Sequence, residues 1–264
     1  MTFDLKACRF ELSARRPIQF PAGMPGNVLR GALGKALREV AGPEDYKRIF
    51  EPGTSQAGPS GFSDWPRPFV IRGGALSGCG VQPGERFGFN LNLFDTSTTT
   101  LDHITRAFAN WTDLVTVEHS PVSVDLSSRC ERVSRIRIEF QTPTGLRNTD
   151  TPEFGVLLPR IRDRVSTLRS LYGGGPLEID FRLLGERSRS VRMSRYELTP
   201  VAIERRSSRT GQRHGIGGFV GFAEYEGDLA EFVPYLEAAH WTGVGRYCTW
   251  GNGQIAVEIL NSDC

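Results

Sequence analysis

Apolar residues in the first half of the chain follow two periods, and the order of these periods predicts one small domain. Alternating apolar and polar positions are typical of a strand, whereas apolar residues three and four positions apart mark one face of a helix. The predicted elements are a strand at 3–14, a helix at 26–40, strands at 69–72 and 86–94, a helix at 102–116 and a strand at 122–126. This β-α-β-β-α-β order is typical of a ferredoxin-like, or RRM-like, domain.

The second half repeats the same order of periods. It predicts a strand at 132–141, a helix at 154–171, two strands at 196–205 and 217–225 around a polar hairpin at 206–215, a helix at 229–240 and a strand at 254–260. A chain of 264 residues is long enough for two domains of this size. We therefore predict an α+β protein with two tandem ferredoxin-like domains, at residues 1–128 and 129–264.

A glycine-rich segment at 243–253 lies between the last predicted helix and the last predicted strand. A dinucleotide fingerprint is disfavoured, because Cys248 stands at the third glycine position and the segment leads into a strand. Two interpretations remain. The segment is a tight structural connection, or its amide groups cradle the phosphates of a nucleic acid, since glycine permits positive φ and successive N–H groups bind anions. The candidate RNA-binding residues here are Gly243, Gly245, Arg246, Tyr247, Gly251 and Gly253.

Arginine dominates the basic residues of the chain. The net charge is only +2, so charge alone does not indicate a nucleic-acid partner. Lysine occurs only at Lys6, Lys35 and Lys47, and the other 29 of the 32 basic residues are arginine. The planar guanidinium suits bidentate contact with phosphate and stacks on bases, although a GC-rich genome also favours arginine over lysine.

The densest group of arginines lies in the second half. Segment 185–194 has few apolar residues, so it is either a disordered surface loop or an arm that orders on RNA. The basic residues continue into the polar hairpin. The candidate RNA-binding residues of this group are Arg187, Arg189, Arg192, Arg195, Arg206, Arg209, Arg213 and His214.

Cysteine spacing and hydropathy exclude other classes of protein. The five cysteines form no CxxC pair, which argues against a zinc site or a disulfide framework. The N-terminus lacks the apolar core of a signal peptide, and no run of about 18 apolar residues could span a membrane. We expect a soluble cytoplasmic protein with no metal, no cofactor and no membrane partner.

Five segments together resemble a known family. The Gly-x-Gly pairs at 243–253 resemble the glycine-rich signature of the CRISPR-associated RAMP endoribonucleases, which process precursor crRNA. Further segments similar to motifs of that family follow in the same order, at 29–38, 66–71, 140–144 and 214–221. The resemblance implies two ferredoxin-like domains that recognise a CRISPR repeat RNA hairpin and retain the crRNA. It also implies other subunits of a CRISPR effector complex as partners.

The resemblance further implies a metal-independent reaction, in which a 2′-hydroxyl of the RNA attacks the adjacent phosphate. The products are a 2′,3′-cyclic phosphate and a 5′-hydroxyl, and the reaction needs a base, charge stabilisation and an acid. Family members often carry a histidine in the first helix, where this chain has Lys35, so the usual base is missing. We expect Arg30, Lys35 and Arg38 around the scissile phosphate and Tyr46 beside the 2′-hydroxyl, with His214 as a further candidate base.

Two other functions stay open. A non-catalytic crRNA-binding subunit of a CRISPR effector complex has the same fold, and the missing histidine favours it. A small-molecule enzyme on the same fold is the other, but the spacing supports no metal-ligand cluster and no Ser/His/Asp or Cys/His set. The missing histidine and the abundant arginine also favour a divergent subtype, such as the plasmid-associated type IV.

Overall fold

The computed structural model describes residues 1–53, 65–147, 149–206 and 213–260, with only the backbone of 204–206 and 213–215. The first half contains β1 (Thr2–Ser13), β2 (Ile18–Gln19), α1 (Pro25–Val40), α2 (Pro43–Phe50), β3 (Phe69–Arg72), β4 (Gly80–Val81), β5 (Arg86–Leu93), α3 (Thr98–Trp111) and β6 (Asp113–Asp125). The second half contains β7 (Arg135–Thr144), α4 (Phe154–Tyr172), α5 (Phe181–Ser188), β8 (Arg192–Val201), β9 (Glu204–Arg206), β10 (Arg213–Gly215), β11 (Gly218–Glu226), α6 (Val233–Thr242) and β12 (Ile255–Ile259). None of the helices described here is both long and apolar enough to cross a membrane.

Each half forms a four-stranded antiparallel sheet with the same strand order. The first sheet runs β3-β5-β1-β6 and the second runs β12-β7-β11-β8. In each sheet the first and third main strands are the central neighbours, and the half's own helices pack on one face. The predicted tandem ferredoxin-like architecture is confirmed. The domain boundary at 128/129 falls between β6 and β7 and stays a prediction.

The apolar residues of β1 lie on opposite faces at its two ends. Side chains alternate along a strand, so Phe3 and Leu5 face one side, while Cys8, Phe10 and Leu12 face the other. The latter three pack in the core of the first domain, beneath α1 and α3. Phe3 and Leu5 instead pack in the core of the second domain. The two domains therefore share an apolar interface.

Polar side chains of the first domain hold the C-terminal end of α6. Asn92 Nδ2 donates to the carbonyl of Trp241 at 2.8 Å, and the Arg72 guanidinium donates to two carbonyls of the last turn at 3.1 and 3.3 Å. Such carbonyls lack partners inside the helix, and a cation suits the negative end of its dipole. Burial lowers the pKa of Arg72 to about 10, so it stays charged at neutral pH. The helix that leads into the glycine-rich segment is thereby fixed to the first domain.

The helix predicted at 102–116 is wrong at both ends. It begins at Thr98, where the Ser97 hydroxyl accepts a hydrogen bond from the Thr100 amide at 3.4 Å, and it ends at Trp111. Strand β6 then starts at Asp113 rather than at the predicted position 122, and pairs with β1 along its whole length. Cross-strand pairing with β1 therefore outweighs the local helical pattern at 112–116.

Segment 185–194 is neither a disordered loop nor a free arm, so both predictions for it are wrong. It comprises the second half of α5 and the start of β8. Asp180 Oδ1 accepts a hydrogen bond from the Leu183 amide at 2.9 Å and begins the helix. Leu184 and Val191 are buried and anchor the segment on the second core.

Candidate nucleic-acid interface and active site

The glycine-rich segment 243–253 is a compact turn whose backbone is held by hydrogen bonds. The Val244 amide donates to the carbonyl of Gly253 at 2.9 Å, and the Arg246 amide donates to that of Gly145 at 3.0 Å. Gly253 has a φ of +69°, and a Cβ there would lie 1.9 Å from the Val244 carbonyl oxygen. Only glycine fits that position, so the fold of the segment depends on it.

The segment docks on the first turn of α1. A Cβ on Gly26 would lie 2.0 Å from the carbonyl oxygen of Trp250, so the two backbones touch. On the other side, a Cβ on Gly251 would lie 3.1 Å from the carbonyl oxygen of Ile71 in β3. A cleft of about 170 Å³ remains between the segment, the first turn of α1 and the end of β7. The predicted RNA-binding segment and the predicted catalytic helix are therefore in contact.

A row of stacked arginines and aromatic rings runs from the segment to α2, and we call it the cation–aromatic column. Its central member is Arg30, whose Cζ lies 5.1 Å from the Trp250 ring centre and 4.7 Å from that of Phe50. Tyr247 stacks on Trp250 with ring centres 4.9 Å apart and planes 11° apart. The six members are Arg246, Tyr247, Trp250, Arg30, Phe50 and Arg67.

Arg38 and Tyr46 form a second cluster with Glu51, between α1 and α2. The Tyr46 hydroxyl donates to Glu51 Oε1 at 3.1 Å, and the Arg38 guanidinium donates to the same oxygen at 3.2 Å. Arg38 also lies over the Tyr46 ring, 5.0 Å from its centre. Burial raises the pKa of the Tyr46 phenol, with a smaller contribution from Glu51. Tyr46 therefore keeps its proton at neutral pH and acts as a hydrogen-bond donor.

Lys35 lines an open groove of about 780 Å³ along α1, which we call the α1 groove. Arg16, Gln19 and Trp111 also line it. Gly31 leaves the helix backbone open, since a Cβ there would meet nothing within 4 Å. In the part of the chain that the structure describes, neither Arg16 nor Lys35 has an ion-pair partner. The groove thus presents two exposed cations to solvent.

The predicted RNA-binding arginines of the second domain mostly pair with acids. Arg187 binds both oxygens of Glu231 at 2.6 Å. The remaining pairs are Arg192 with Glu226 and Arg195 with Glu197. Arg189 ends α5 and packs its Cγ against the backbone of Gly155. Four predicted side chains lie outside the described part, namely Arg206, Arg209, Arg213 and His214, although the backbones of β9 and β10 pair as the predicted hairpin.

Glu224 occupies the centre of the outer face of the second sheet. Its carboxylate accepts hydrogen bonds from Arg135 at 2.6 Å and from Arg137 at 2.5 Å, and only about 3% of its side chain is exposed. These two guanidinium groups, Arg137 first, lower the pKa of Glu224. Arg137 also lies over the Phe222 ring, 4.4 Å from its centre. The charges of this face are therefore satisfied within the protein.

Sequence reasoning missed α2, and with it the positions of Phe50 and Glu51. A signal was available, because Pro43 stands at the first helical position, acidic residues follow in the first turn and basic residues occupy the last. Sequence reasoning also missed Arg16 and Gln19. No signal marks them, since only the tertiary fold brings the 15–19 segment beside α1.

Comparison with known proteins shows what each half of the chain resembles. Residues 138–255 match the family model of the CRISPR-associated endoribonuclease Cas6, and residues 3–120 match a model described as an N-terminal domain. The second domain is similar to the Cas6 family over these residues. The predicted resemblance to CRISPR-associated endoribonucleases is confirmed, and the glycine-rich segment 243–253 lies within the residues that match the Cas6 model. By sequence, no curated protein matches the chain.

Solved structures extend the similarity to the whole fold. A Cas6 product complex matches with a TM-score of 0.66 and 15% identity, over 97% of this chain and 100% of that one. Thermus thermophilus Cas6 matches with a TM-score of 0.62 and 15% identity, over 98% and 99%. A partial Cas6-RT-Cas1–Cas2 complex matches with a TM-score of 0.61 and 12% identity, over 97% of this chain but 46% of that longer one. At these identities the similarity concerns the fold.

Proposed function

We propose that this chain is an endoribonuclease that binds a CRISPR repeat hairpin, cleaves precursor crRNA and keeps the mature crRNA bound. Cleavage is the metal-independent attack of a 2′-hydroxyl on the adjacent phosphate, which leaves a 2′,3′-cyclic phosphate and a 5′-hydroxyl. The chain acts in the cytoplasm with other CRISPR subunits as partners. One observation carries the proposal: the glycine-rich segment of the second domain touches α1, with the Trp250 carbonyl against Gly26.

The α1 groove supports a place for the scissile phosphate. Its volume of about 780 Å³ accommodates a nucleotide, and its open end leaves room for a continuing strand. Arg16 and Lys35 supply positive charge and form no ion pair with a described acid, and Glu39, which also lines the groove, accepts a hydrogen bond from Asn110 instead. Gly31 allows the RNA backbone to approach the helix closely. RNA held by the glycine-rich segment must pass around α1 to reach this groove, because Arg30 and Lys35 lie about 140° apart around the helix.

Lys35 carries the chemistry in this proposal. As an ammonium it can donate a proton to the leaving 5′-oxygen and offset the charge of the pentacovalent phosphate, while the proton of the attacking 2′-hydroxyl passes to water. Arginine holds its proton too firmly to act as a base, so Arg38 contributes only charge and hydrogen bonds. Tyr46 keeps its proton because its pKa is raised, so it can orient the 2′-hydroxyl but does not deprotonate it at neutral pH.

The test uses the purified chain with a repeat RNA in EDTA. We expect a single cut with a 2′,3′-cyclic phosphate end, and resistance of a substrate that carries one 2′-deoxy sugar at the cut. Activity that appears only with Mg²⁺ would contradict the metal-independent mechanism. Unimpaired cutting of the 2′-deoxy substrate would exclude internal attack.

A non-catalytic crRNA-binding subunit is the second candidate. Lys35 stands where the resemblance places a histidine, and Glu51 holds both Arg38 and Tyr46. These observations leave the first domain without an evident base. The same assay separates the two functions, because a binding subunit retains the repeat RNA with high affinity and leaves it uncut.

A further inference from the structure

We infer that Arg30 is a positioning residue: it holds the glycine-rich segment on α1 through the cation–aromatic column, in place of the direct role at the phosphate that the sequence predicts. This inference rests on the proposed function. The Arg30 guanidinium lies against two rings, with its Cζ 4.7 Å from the Phe50 ring centre and 5.1 Å from that of Trp250. A planar cation between two rings is attracted by both and loses its rotational freedom.

The column extends beyond Arg30 at both ends. On the α2 side, the Arg67 guanidinium lies 5.5 Å from the Phe50 ring centre, and its Nε donates to the Phe50 carbonyl at 2.6 Å. On the other side, Arg246 lies over Tyr247 at 5.4 Å. Arg246 is an exposed member of the segment. The column therefore links a surface arginine of the second domain to the buried end of α2.

Tyr247, which stacks on Trp250, has an unusual backbone conformation. Its φ is +63°, and within the described residues it is the one non-glycine side chain in the left-handed region. That conformation is unfavourable for a residue with a Cβ, so a compensating contact is needed. The parallel ring of Trp250, 4.9 Å away, is that contact. The left-handed conformation thus places the Tyr247 ring on Trp250, whose ring in turn lies against Arg30.

The consequence concerns the rate of cleavage more than the affinity for RNA. If the column breaks, the segment and the RNA on it shift relative to Lys35 and the α1 groove. A misplacement of about 1 Å can cost roughly 100-fold in rate. Affinity depends largely on phosphate contacts spread over the surface, so it changes much less.

The experiment compares Arg30→Lys, Arg30→Met, Trp250→Phe, Trp250→Ala and the double variant Arg30→Met/Trp250→Ala. Single-turnover cleavage of the repeat RNA and the Kd for its uncleavable 2′-deoxy form are measured for each. We expect Arg30→Lys and Arg30→Met to lose cleavage equally, by about 10- to 100-fold, because lysine keeps the charge but lacks the plane. Trp250→Phe keeps a ring and should stay near wild type. The double variant should be no worse than either severe single variant.

Arg86, an exposed arginine that pairs with Glu11, provides the matched control through Arg86→Lys and Arg86→Met. Full activity of Arg30→Lys beside an inactive Arg30→Met would overturn the inference, since charge alone would then suffice. So would additive losses in the double variant, or a Kd that weakens in step with the rate. If the wild-type chain cuts no RNA, the proposed function fails. The column is then tested by thermal unfolding of the same variants, where additive effects of Arg30→Met and Trp250→Ala would refute it.

Discussion

The α1 groove of the first domain and the outer sheet face of the second both carry cations, but in opposite electrostatic states. In the groove, Arg16 and Lys35 are exposed and have no ion-pair partner among the described residues. On the sheet face, Glu224 satisfies two arginines, and neighbouring acids pair with Arg192 and Arg195. The sequence shows far more arginine in the second region, yet the first has the charge available for a phosphate.

The number of arginines in a region is therefore a poor guide to an RNA-binding surface. An arginine that already forms a bidentate pair must break that pair before it can bind phosphate. Lys35 forms no ion pair with a described acid, so it can bind phosphate without breaking one. We propose that RNA binding and cleavage depend on the cations that have no paired acid, Lys35 and Arg16, more than on the arginines that do.

The largest effect is expected for Lys35→Met. Loss of the ammonium should lower the cleavage rate by about 100- to 1,000-fold, because charge on the phosphate is no longer stabilised. The Kd for the 2′-deoxy repeat RNA should change little. Single-turnover cleavage measures the effect, with Lys47→Met, an exposed lysine on α2, as the control. Wild-type cleavage by Lys35→Met would remove the α1 groove from the mechanism.

Arg16→Ala should act on binding. The variant should weaken RNA affinity by roughly tenfold, and the slope of log Kd against log salt should fall by about 1. A salt titration of RNA binding by fluorescence anisotropy measures both quantities. An unchanged slope would mean that Arg16 does not contact phosphate.

Glu224→Gln should act on stability, because it removes a buried carboxylate that two arginines hold. We expect a loss of about 1–3 kcal/mol in unfolding free energy at pH 7. The folded pKa of Glu224 lies below its unfolded value. Its contribution is therefore present above the unfolded pKa and lost as the pH falls through the folded one. Urea unfolding from pH 7 to acid should show a steeper loss of stability in the wild type than in Glu224→Gln, which keeps the contribution of other carboxylates such as Asp95, and equal slopes would refute the assignment.

The smallest effect is expected for Arg187→Ala. Its guanidinium is already paired with Glu231, so RNA affinity should change by less than about twofold, and stability by at most about 1 kcal/mol. Anisotropy under the same salt conditions as for Arg16→Ala gives the comparison directly. A loss of affinity equal to that of Arg16→Ala would erase the distinction between the two regions.

The fold was largely predictable, because the apolar residues of both halves recur with clear helical and strand periods. The long helix α4 starts where its apolar residues first recur, at Phe154. The errors arose where two patterns overlap. Residues 112–116 continue the apolar spacing of α3 but pair with β1. Segment 185–194 has few apolar residues, yet Val191 within it and Leu184 just before it are buried in the second core.

The candidate site was predictable only in part. The sequence indicates the glycine-rich segment and α1, and the structure brings them into contact. It could not indicate that Arg30 lies between Phe50 and Trp250, because those rings come from segments about 200 residues apart in the chain. Nor could the sequence distinguish arginines that pair with an acid from those that do not, since Arg187 and Glu231 meet only in the folded domain.

The most direct test is to locate the RNA strand at the cut site on the surface of the protein. A 2′-deoxy repeat RNA with 4-thiouridine next to the mapped cut can be cross-linked to the protein by light, and the modified peptides identified by mass spectrometry. We predict cross-links to α1 and to the 15–19 segment, on either side of Lys35. Cross-links confined to β8 and β11, on the outer face of the second sheet, would contradict the account.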